Sequence, residues 1–109
     1  MKIKKFLLIT IFSFLFYSQI SFADEPKMTR GLEIFNETAG CAACHVLKAA
    51  GSEGNIGPNL DTVEGLSYES VMDIVTHGLG VMPAFGEDEI LTKEEIDIVS
   101  FYVANSVGK

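Results

Sequence analysis

Residues Cys41 to His45, with the sequence CAACH, constrain this chain more than any other segment. A Cys-x-x-Cys pair followed directly by His can be a redox dithiol, half of a zinc site or the attachment point of a haem. A structural disulfide does not account for the pair, because a bridge between cysteines three positions apart closes a very small loop and restrains the unfolded chain little. Each of the three uses needs different surroundings, so the rest of the chain decides between them.

The N-terminal residues have the order of a secretory signal peptide. Three lysines precede an apolar run over residues 6–20, and small residues then stand at the two positions expected before a cleavage after Ala23. The sequence therefore predicts a signal peptide over residues 1–23, one small domain over residues 24–109 and a periplasmic location. An uncleaved membrane anchor is the alternative, but the apolar run has about 15 residues, whereas a spanning helix needs about 18 or more.

The charge of the predicted domain narrows the choice of partners. The leader holds three of the eight basic residues and none of the fifteen acidic ones, so residues 24–109 carry a net charge of −10 at pH 7. Such a charge opposes binding to the phosphate backbone of nucleic acid and favours a protein partner with a basic docking surface. We expect a protein partner, no nucleic acid and, after removal of the leader, no membrane.

Other residues separate the three uses of the cysteine pair. A closed zinc site needs four ligands, but His45 follows Cys44 too closely to reach the same tetrahedral ion, and a spaced second ligand pair is missing. A redox dithiol of the thioredoxin type is expected beside a strand–helix–strand pattern, which the sequence lacks. Cys-x-x-Cys-His is the signature of covalent haem attachment, and residues three apart on a helical turn face the same way, so both sulfurs can reach one porphyrin. We predict one haem c on Cys41 and Cys44, with His45 as an axial ligand of its iron.

A candidate for the second axial ligand lies in residues 80–86. This segment is non-helical, is bounded by glycines and contains Met82, whose thioether is a soft ligand suited to iron. Pro83 stiffens the chain beside it. Met72 is the competitor, but it belongs to an apolar-periodic helix in which core packing accounts for it. We predict Met82 as the sixth ligand.

A resemblance to a known family rests on four stretches: GLEIF at residues 31–35, CAACH at 41–45, IGPNL at 56–60 and GVMPAFG at 80–86. These stretches resemble those of the class I cytochromes c, in particular the small periplasmic monohaem cytochromes, and the likeness covers residues 29–106. The resemblance implies an all-α fold of three to four helices wrapped around one covalent haem. It also implies that the carbonyl of Pro58 accepts the Nδ1 hydrogen of His45 and that Phe85 contacts the haem.

Three helices are predicted from caps and apolar periodicity. The first is expected from Thr29 as N-cap to about Glu37, and the resemblance implies that its Gly31 meets Phe101 of the last helix. The middle helix is expected over residues 67–77, with a glycine as C-cap. The last helix is expected to begin at the Thr-x-x-Glu capping box of residues 92–95. No convincing strand is present.

His77 closes the middle helix and allows two interpretations. The first is an alternative iron ligand or a partner of a haem propionate. The second, which we favour, is a solvated histidine in the last turn of a helix, where a positive charge suits the helix dipole.

These features predict an electron carrier and not an enzyme. An iron held by His45 and Met82 has no open position for a substrate, which leaves one-electron exchange. A dedicated cytochrome subunit of a periplasmic dehydrogenase, for example a sulfite dehydrogenase, uses the same chemistry and remains an alternative. A five-coordinate haem enzyme or gas sensor is a further alternative, against which an intact Met82 loop argues.

A docking surface is expected around the Met82 loop. In the family that the sequence resembles, the haem edge emerges where the CAACH segment and the Met82 loop approach the surface. Here these segments offer a small apolar patch that includes Val81 and Phe85. Acidic residues at 87–89 follow the loop and are expected to surround the patch, where they would speed the encounter with a basic partner.

Overall fold

Three α-helices frame the part of the chain that the computed structural model describes, residues 24–109. They are α1 (Glu25–Glu33), α2 (Tyr68–His77) and α3 (Lys93–Ser106), joined by a π-helical turn at Ile34–Thr38 and 3₁₀ turns at Cys41–Ala43 and Lys48–Ala50. The all-α prediction is therefore confirmed. The predicted signal peptide over residues 1–23 lies outside the described residues. Within residues 24–109, no helix combines the length and apolar character needed to cross a membrane.

Helix α1 begins earlier than the sequence predicted. It starts at Glu25, and Thr29 lies inside it as an exposed residue and not as its N-cap. Pro26 explains the early start, since proline fits the first helical turn, and Glu25 suits the positive end of the helix dipole. The predicted end near Glu37 falls in the π-helical turn, which is closed by a bond from the Ala39 N–H to the Ile34 carbonyl at 2.8 Å.

The crossing of α1 and α3 is built on Gly31. A Cβ at this position would lie 2.3 Å from Tyr102 Cβ and 3.2 Å from the Ile98 carbonyl oxygen, so only glycine lets the helices come this close. The two helices cross near Gly31 and Phe101 as expected, but the side chain against Gly31 is that of Tyr102, because one residue along a helix turns the side chain by about 100°. Phe101 instead receives the ammonium of Lys27, which lies 4.5 Å from the centre of its ring.

Helix α2 has both ends, and α3 has the start, that the sequence predicted. The hydroxyl of Thr92 accepts from the Glu95 N–H at 3.1 Å, and the Glu95 carboxylate accepts from the Thr92 N–H at 2.9 Å, which completes the capping box of α3. Ser67 caps α2 in the same way, and Gly78 ends it with a φ of 75°. The three helices and the loops between them enclose a core of Ile34, Phe35, Leu47, Val71, Val75, Phe85, Leu91, Ile96, Val99, Tyr102 and Val103.

No strand was expected from the sequence, yet the structure contains a short pair directly after His45. β1 (Val46–Leu47) and β2 (Ser52–Glu53) are antiparallel, with Leu47 opposite Ser52. The buried Ser52 hydroxyl accepts from the Leu47 N–H at 2.9 Å and donates to the His45 carbonyl at 2.9 Å. Strands of two residues are too short to produce an alternating pattern, which explains why the sequence did not predict them.

Candidate functional site

The two cysteines share a single 3₁₀ turn. Gly40 enters this turn with a φ of 71°, and the N–H groups of Cys44 and His45 both donate to the Cys41 carbonyl, at 3.1 Å and 3.0 Å. Side chains at positions i and i+3 of a 3₁₀ turn are eclipsed. The two thiols, which are half-buried and not joined in a disulfide, are therefore presented on the same side of the turn.

The surroundings of Cys41 oppose a redox dithiol. Burial raises the pKa of its thiol to about 11, partly offset by a backbone hydrogen bond, and the charge of Cys44 adds to the rise. Reactive cysteines of dithiol enzymes have a lowered pKa, because the thiolate is the nucleophile. The environment of Cys41 is the opposite of the one that a redox dithiol requires.

His45 is oriented by the loop that contains Pro58. Its Nδ1 lies 2.8 Å from the Pro58 carbonyl oxygen, so the hydrogen bond implied by the family resemblance is present. Because a carbonyl oxygen only accepts, Nδ1 must carry the hydrogen, and Nε2 is left with a free lone pair for a metal. The loop also lies close against the ring, since a Cβ at Gly57 would be 2.5 Å from His45 Cε1.

Met82 lies in a turn that is closed by two hydrogen bonds. The Leu79 N–H donates to the Met82 carbonyl at 3.2 Å, and the Met82 N–H donates to the Leu79 carbonyl at 3.0 Å. Gly80 has a φ of 59°, a conformation that glycine adopts at little cost. The turn leaves Val81 91% exposed, whereas Met82 is half-buried and packs against the core.

The chain after Met82 is bound to the end of α2. The Phe85 N–H donates to the Val75 carbonyl at 2.9 Å, and the Gly86 and Glu87 N–H groups donate to the Thr76 carbonyl at 3.2 Å and 3.1 Å. These bonds satisfy carbonyls that the end of a helix otherwise leaves without partners. They also turn Phe85 into the core, where it is 7% exposed. The prediction of Phe85 as part of a surface patch was wrong, because its backbone follows the helix end and its ring is buried.

The residues present fit a haem. Ile56, Leu79 and Val81 are 71%, 69% and 91% exposed and offer apolar surface to a haem. Ile56 adjoins the loop against His45, and the other two flank Met82. Two thiols on one side of a turn, an imidazole nitrogen and a thioether are the donor set of a covalently bound haem with His/Met ligation.

His77 lies at the exposed end of α2, where the sequence predicted a solvated residue. Its ring contacts Glu87 through Nδ1 and lies 3.6 Å from Asp73 through Nε2. The hydrogen bond with Glu87 raises the pKa of His77, and the charges of Glu87 and Asp73 add to the rise. The contact with Asp73 follows from their i,i+4 spacing, but nothing in the sequence indicates the contact with Glu87.

The sequence assigned no role to three further residues beside the site. Gly57 lies against the ring of His45, and the side chains of Ser52 and Asp61 bind the backbone of the segment after His45. The residues around Pro58 indicate where the loop approaches His45, but they do not indicate which side chains hold it there.

Comparisons with known proteins agree with this geometry. A family model described as "Cytochrome C oxidase, cbb3-type, subunit III" matches residues 26–103. Cytochrome c6 from Gloeothece citriformis (strain PCC 7424) is 33% identical over 98 residues, which cover 85% of this chain and 84% of that protein. The crystal structure of the c-type cytochrome SorU from Sinorhizobium meliloti matches with a TM-score of 0.70 and 46% identity, covering 78% of this chain and 95% of that one. The chain therefore belongs to this cytochrome c family and is a small class I c-type cytochrome, an electron-transfer protein and not an enzyme, whose cofactor is covalently attached haem c.

Proposed function

We propose that this protein is a periplasmic one-electron carrier whose haem c is attached through Cys41 and Cys44 and whose iron is held by His45 and Met82. The hydrogen bond from His45 Nδ1 to Pro58, at 2.8 Å, carries the proposal. It leaves Nε2 with a free lone pair for the iron. His45 directly follows a turn that presents both thiols on one side.

Bound haem supplies reversible one-electron exchange at its iron, and the chain supplies the restraint of the two ligands. His45 is restrained through its ring by Pro58 and through its carbonyl by Ser52. The Met82 turn is closed on itself and is followed by bonds to the end of α2. Ligands that move little when the charge of the iron changes favour fast electron transfer, and a filled sixth position favours a carrier over a substrate-binding haem enzyme or gas sensor.

The partners of the carrier follow from its exposed side chains. Val81 is the most exposed apolar side chain beside the Met82 turn, and Glu87, Asp88 and Glu89 are exposed just after it. We propose that a redox protein with a basic docking surface meets the protein here, because the acidic residues accelerate encounter with a positively charged partner. The leader-like order of residues 1–23 supports transfer of the domain to the periplasm.

A second candidate function is a dedicated cytochrome subunit of a periplasmic dehydrogenase. It is supported by the stretch CHVLKAAGSEGNIGPNLD, which resembles small periplasmic cytochromes that serve dehydrogenases such as sulfite dehydrogenase. The two functions differ in the native assembly. A free carrier elutes from a size-exclusion column at the size of one small domain, whereas a subunit co-elutes with the enzyme.

Ligand substitution tests the proposed function. The oxidised holoprotein is expected to have the weak far-red absorption band of methionine bound to iron(III). Met82→Ala should remove this band, lower the reduction potential and allow carbon monoxide to bind the reduced iron. Met72→Ala is the matched control, because it removes a half-buried methionine of α2 that packs against the core. The proposal fails if the band persists in Met82→Ala and disappears in Met72→Ala.

The attachment of the haem is tested on the denatured chain. Haem should remain on the protein band in denaturing electrophoresis of the wild type. It should stay attached through a single thioether in Cys41→Ala and in Cys44→Ala, and it should be lost when both cysteines are replaced. Extraction of the haem from the wild type by acidified organic solvent would contradict covalent attachment.

A further inference from the structure

We infer that Asp61 is a positioning residue for His45, because its carboxylate holds the loop that presents the Pro58 carbonyl to the imidazole. The inference rests on the proposed function, in which His45 is an axial ligand of the haem iron. The sequence assigned no role to Asp61. Its role follows from two hydrogen bonds of its carboxylate and one of its backbone N–H.

The carboxylate of Asp61 joins three parts of the chain. Oδ2 accepts from the Lys48 N–H at 2.8 Å, in the segment that follows His45. Oδ1 accepts from the Gly108 N–H at 2.9 Å, beyond the end of α3. One side chain therefore links the Pro58 loop to the segment that contains the haem motif and to the C-terminal end of the protein.

The contact of Asp61 matters to the loop because Pro58 cannot donate a backbone hydrogen bond of its own. Proline has no N–H, so its backbone nitrogen forms no hydrogen bond with the segment that it faces. Backbone bonds lie on either side of it: the Gly57 N–H donates to Cys44 at 2.7 Å and the Leu60 N–H to Val46 at 3.0 Å. Asp61 extends this series with an ionised acceptor, and hydrogen bonds to a carboxylate are roughly twice as strong as those between neutral groups.

A turn in the loop aims the carboxylate. The side-chain oxygen of Asn59 accepts from the Asp61 N–H at 2.9 Å, a local bond typical of turns begun by asparagine. The hydrogen bonds from the Lys48 N–H and then the Gly108 N–H lower the pKa of Asp61, so the carboxylate is ionised at neutral pH. The contacts therefore fix the charged side chain of Asp61, two residues after the turn begins at Asn59.

The Nδ1 hydrogen of His45 provides a direct readout of this role. In the reduced holoprotein, its exchange with deuterated water can be followed by NMR. Asp61→Ala should accelerate the exchange about five- to tenfold, the factor expected when one ordinary hydrogen bond is lost. Asp61→Asn should have a smaller effect, because its amide oxygen can still accept from one of the two N–H groups, whereas its NH₂ group replaces the oxygen that accepts from the other. The second variant also covers the case in which Asp61→Ala does not assemble as holoprotein.

Two controls separate positioning from other effects. Glu64→Gln removes an equal charge from an exposed residue of the same loop and should leave the exchange unchanged. The backbone N–H of Val99, in the core of α3, reports general loss of stability and should accelerate by a smaller factor than the His45 hydrogen. The inference is wrong if the His45 and Val99 hydrogens accelerate by the same factor, or if neither Asp61 variant changes the exchange of the His45 hydrogen.

The experiment also separates this inference from the proposed function. Ligation by His45 is established first on the wild type, by the NMR shifts that iron binding gives to its ring hydrogens. An unligated His45 would overturn both. A ligated His45 whose Nδ1 exchange does not respond to Asp61 would overturn only the positioning role.

Discussion

At the scale of single residues, the ring of His45 is confined on two sides. Pro58 accepts its Nδ1 hydrogen, and the backbone of Gly57 lies against the ring atoms, so that a Cβ at Gly57 would be 2.5 Å from Cε1 and 2.9 Å from Nδ1. These distances are shorter than any van der Waals contact between a side-chain carbon and a ring atom. Even the smallest side chain at position 57 must displace either the ring or the loop.

Gly57→Ala is therefore expected to disturb both the fold and the ligand. Forcing an extra methyl group into a tight contact costs about 1–3 kcal/mol, and we expect a loss of that size in the free energy of unfolding of the holoprotein. The reduction potential should shift with it, because the hydrogen bond to Pro58 changes. Chemical denaturation and a redox titration measure the two effects. Asn55→Ala, at an exposed residue of the same loop, should change neither.

The residues that the sequence predicted differ in kind from those that it missed. Cys41, Cys44 and His45 form a motif whose spacing has a mechanical reason, so their proximity could be predicted. Ser52 and Asp61 bind backbone groups that are 7 and 13 positions away in the sequence. Any chain offers backbone N–H and carbonyl groups at every position, so such contacts leave no pattern of residue types to recognise.

At the scale of elements, the crossing of α1 and α3 depends on the missing side chain of Gly31. Replacement by alanine has two opposed effects. Alanine has a helix propensity that is better by about 1 kcal/mol, but its Cβ would lie 2.3 Å from Tyr102 Cβ, an atom next to the backbone that cannot turn aside. The steric effect should dominate.

Gly31→Ala should thus lower the free energy of unfolding by about 1–2 kcal/mol in spite of the gain in propensity. Thermal or chemical unfolding of the holoprotein measures the change. Thr29→Ala, at an exposed residue of the same helix, should leave the stability unchanged or raise it slightly. A stabilised Gly31→Ala would contradict the close crossing.

The pair His77–Glu87 predicts a pH dependence in the contact between α2 and the Met82 loop. Its hydrogen bond raises the pKa of His77 above the value of about 6.5 that histidine has in an unfolded chain. The pair therefore contributes stability below about pH 6.5, and this contribution is lost as the pH rises through the raised pKa of the folded state.

Glu87→Gln should reveal this contribution. The unfolding temperature of the variant should lie below that of the wild type near pH 6, and the two should converge near pH 9, where His77 is neutral in both states. Asp88→Asn removes an equal charge from the neighbouring exposed residue and should show no such trend. A difference that grows towards high pH would contradict the assigned pair.

The ends of the helices show which local signals suffice for prediction. Thr92 and Glu95 lie at the spacing of a capping box and fix the start of α3 as predicted. Asp24 makes no side-chain hydrogen bond at the start of α1, so the proline and the acidic residue of the first turn were the only signals, and Thr29 was wrongly preferred. A helix without a side-chain cap begins where backbone conformation and packing allow.

At the scale of the whole molecule, the net charge of −10 on residues 24–109 should govern encounter with partners. Acidic residues beside the exposed Val81 should speed electron transfer with a small basic redox protein, by roughly 10- to 1000-fold at low salt. Because the Debye length falls from about 30 Å at 0.01 M salt to about 8 Å at 0.15 M, this rate should fall with salt. Stopped-flow rates measured against ionic strength test the prediction.

Two double variants with the same change in net charge test whether the position of the acidic residues, and not only their number, sets the rate. Asp88→Lys with Glu89→Lys changes exposed residues after the Met82 turn, and Glu25→Lys with Glu37→Lys makes the same change in net charge at exposed residues of the N-terminal part. The first should slow the basic partner more than the second. Equal slowing would mean that total charge alone sets the rate and that the Met82 turn is not the docking surface.

The bonds between the chain after Met82 and the end of α2 also determine where a protease can cut. A protease needs several consecutive residues in an extended conformation with free backbone groups. On either side of Val81, the closed turn already uses the N–H and carbonyl groups of Leu79 and Met82, and the end of α2 binds the N–H groups of residues 85–87. Val81, the most exposed large apolar side chain of residues 24–109, therefore lies in a segment that should resist digestion until α2 itself frays. The first nick should fall near Glu64 and Gly65, exposed residues just before the cap of α2.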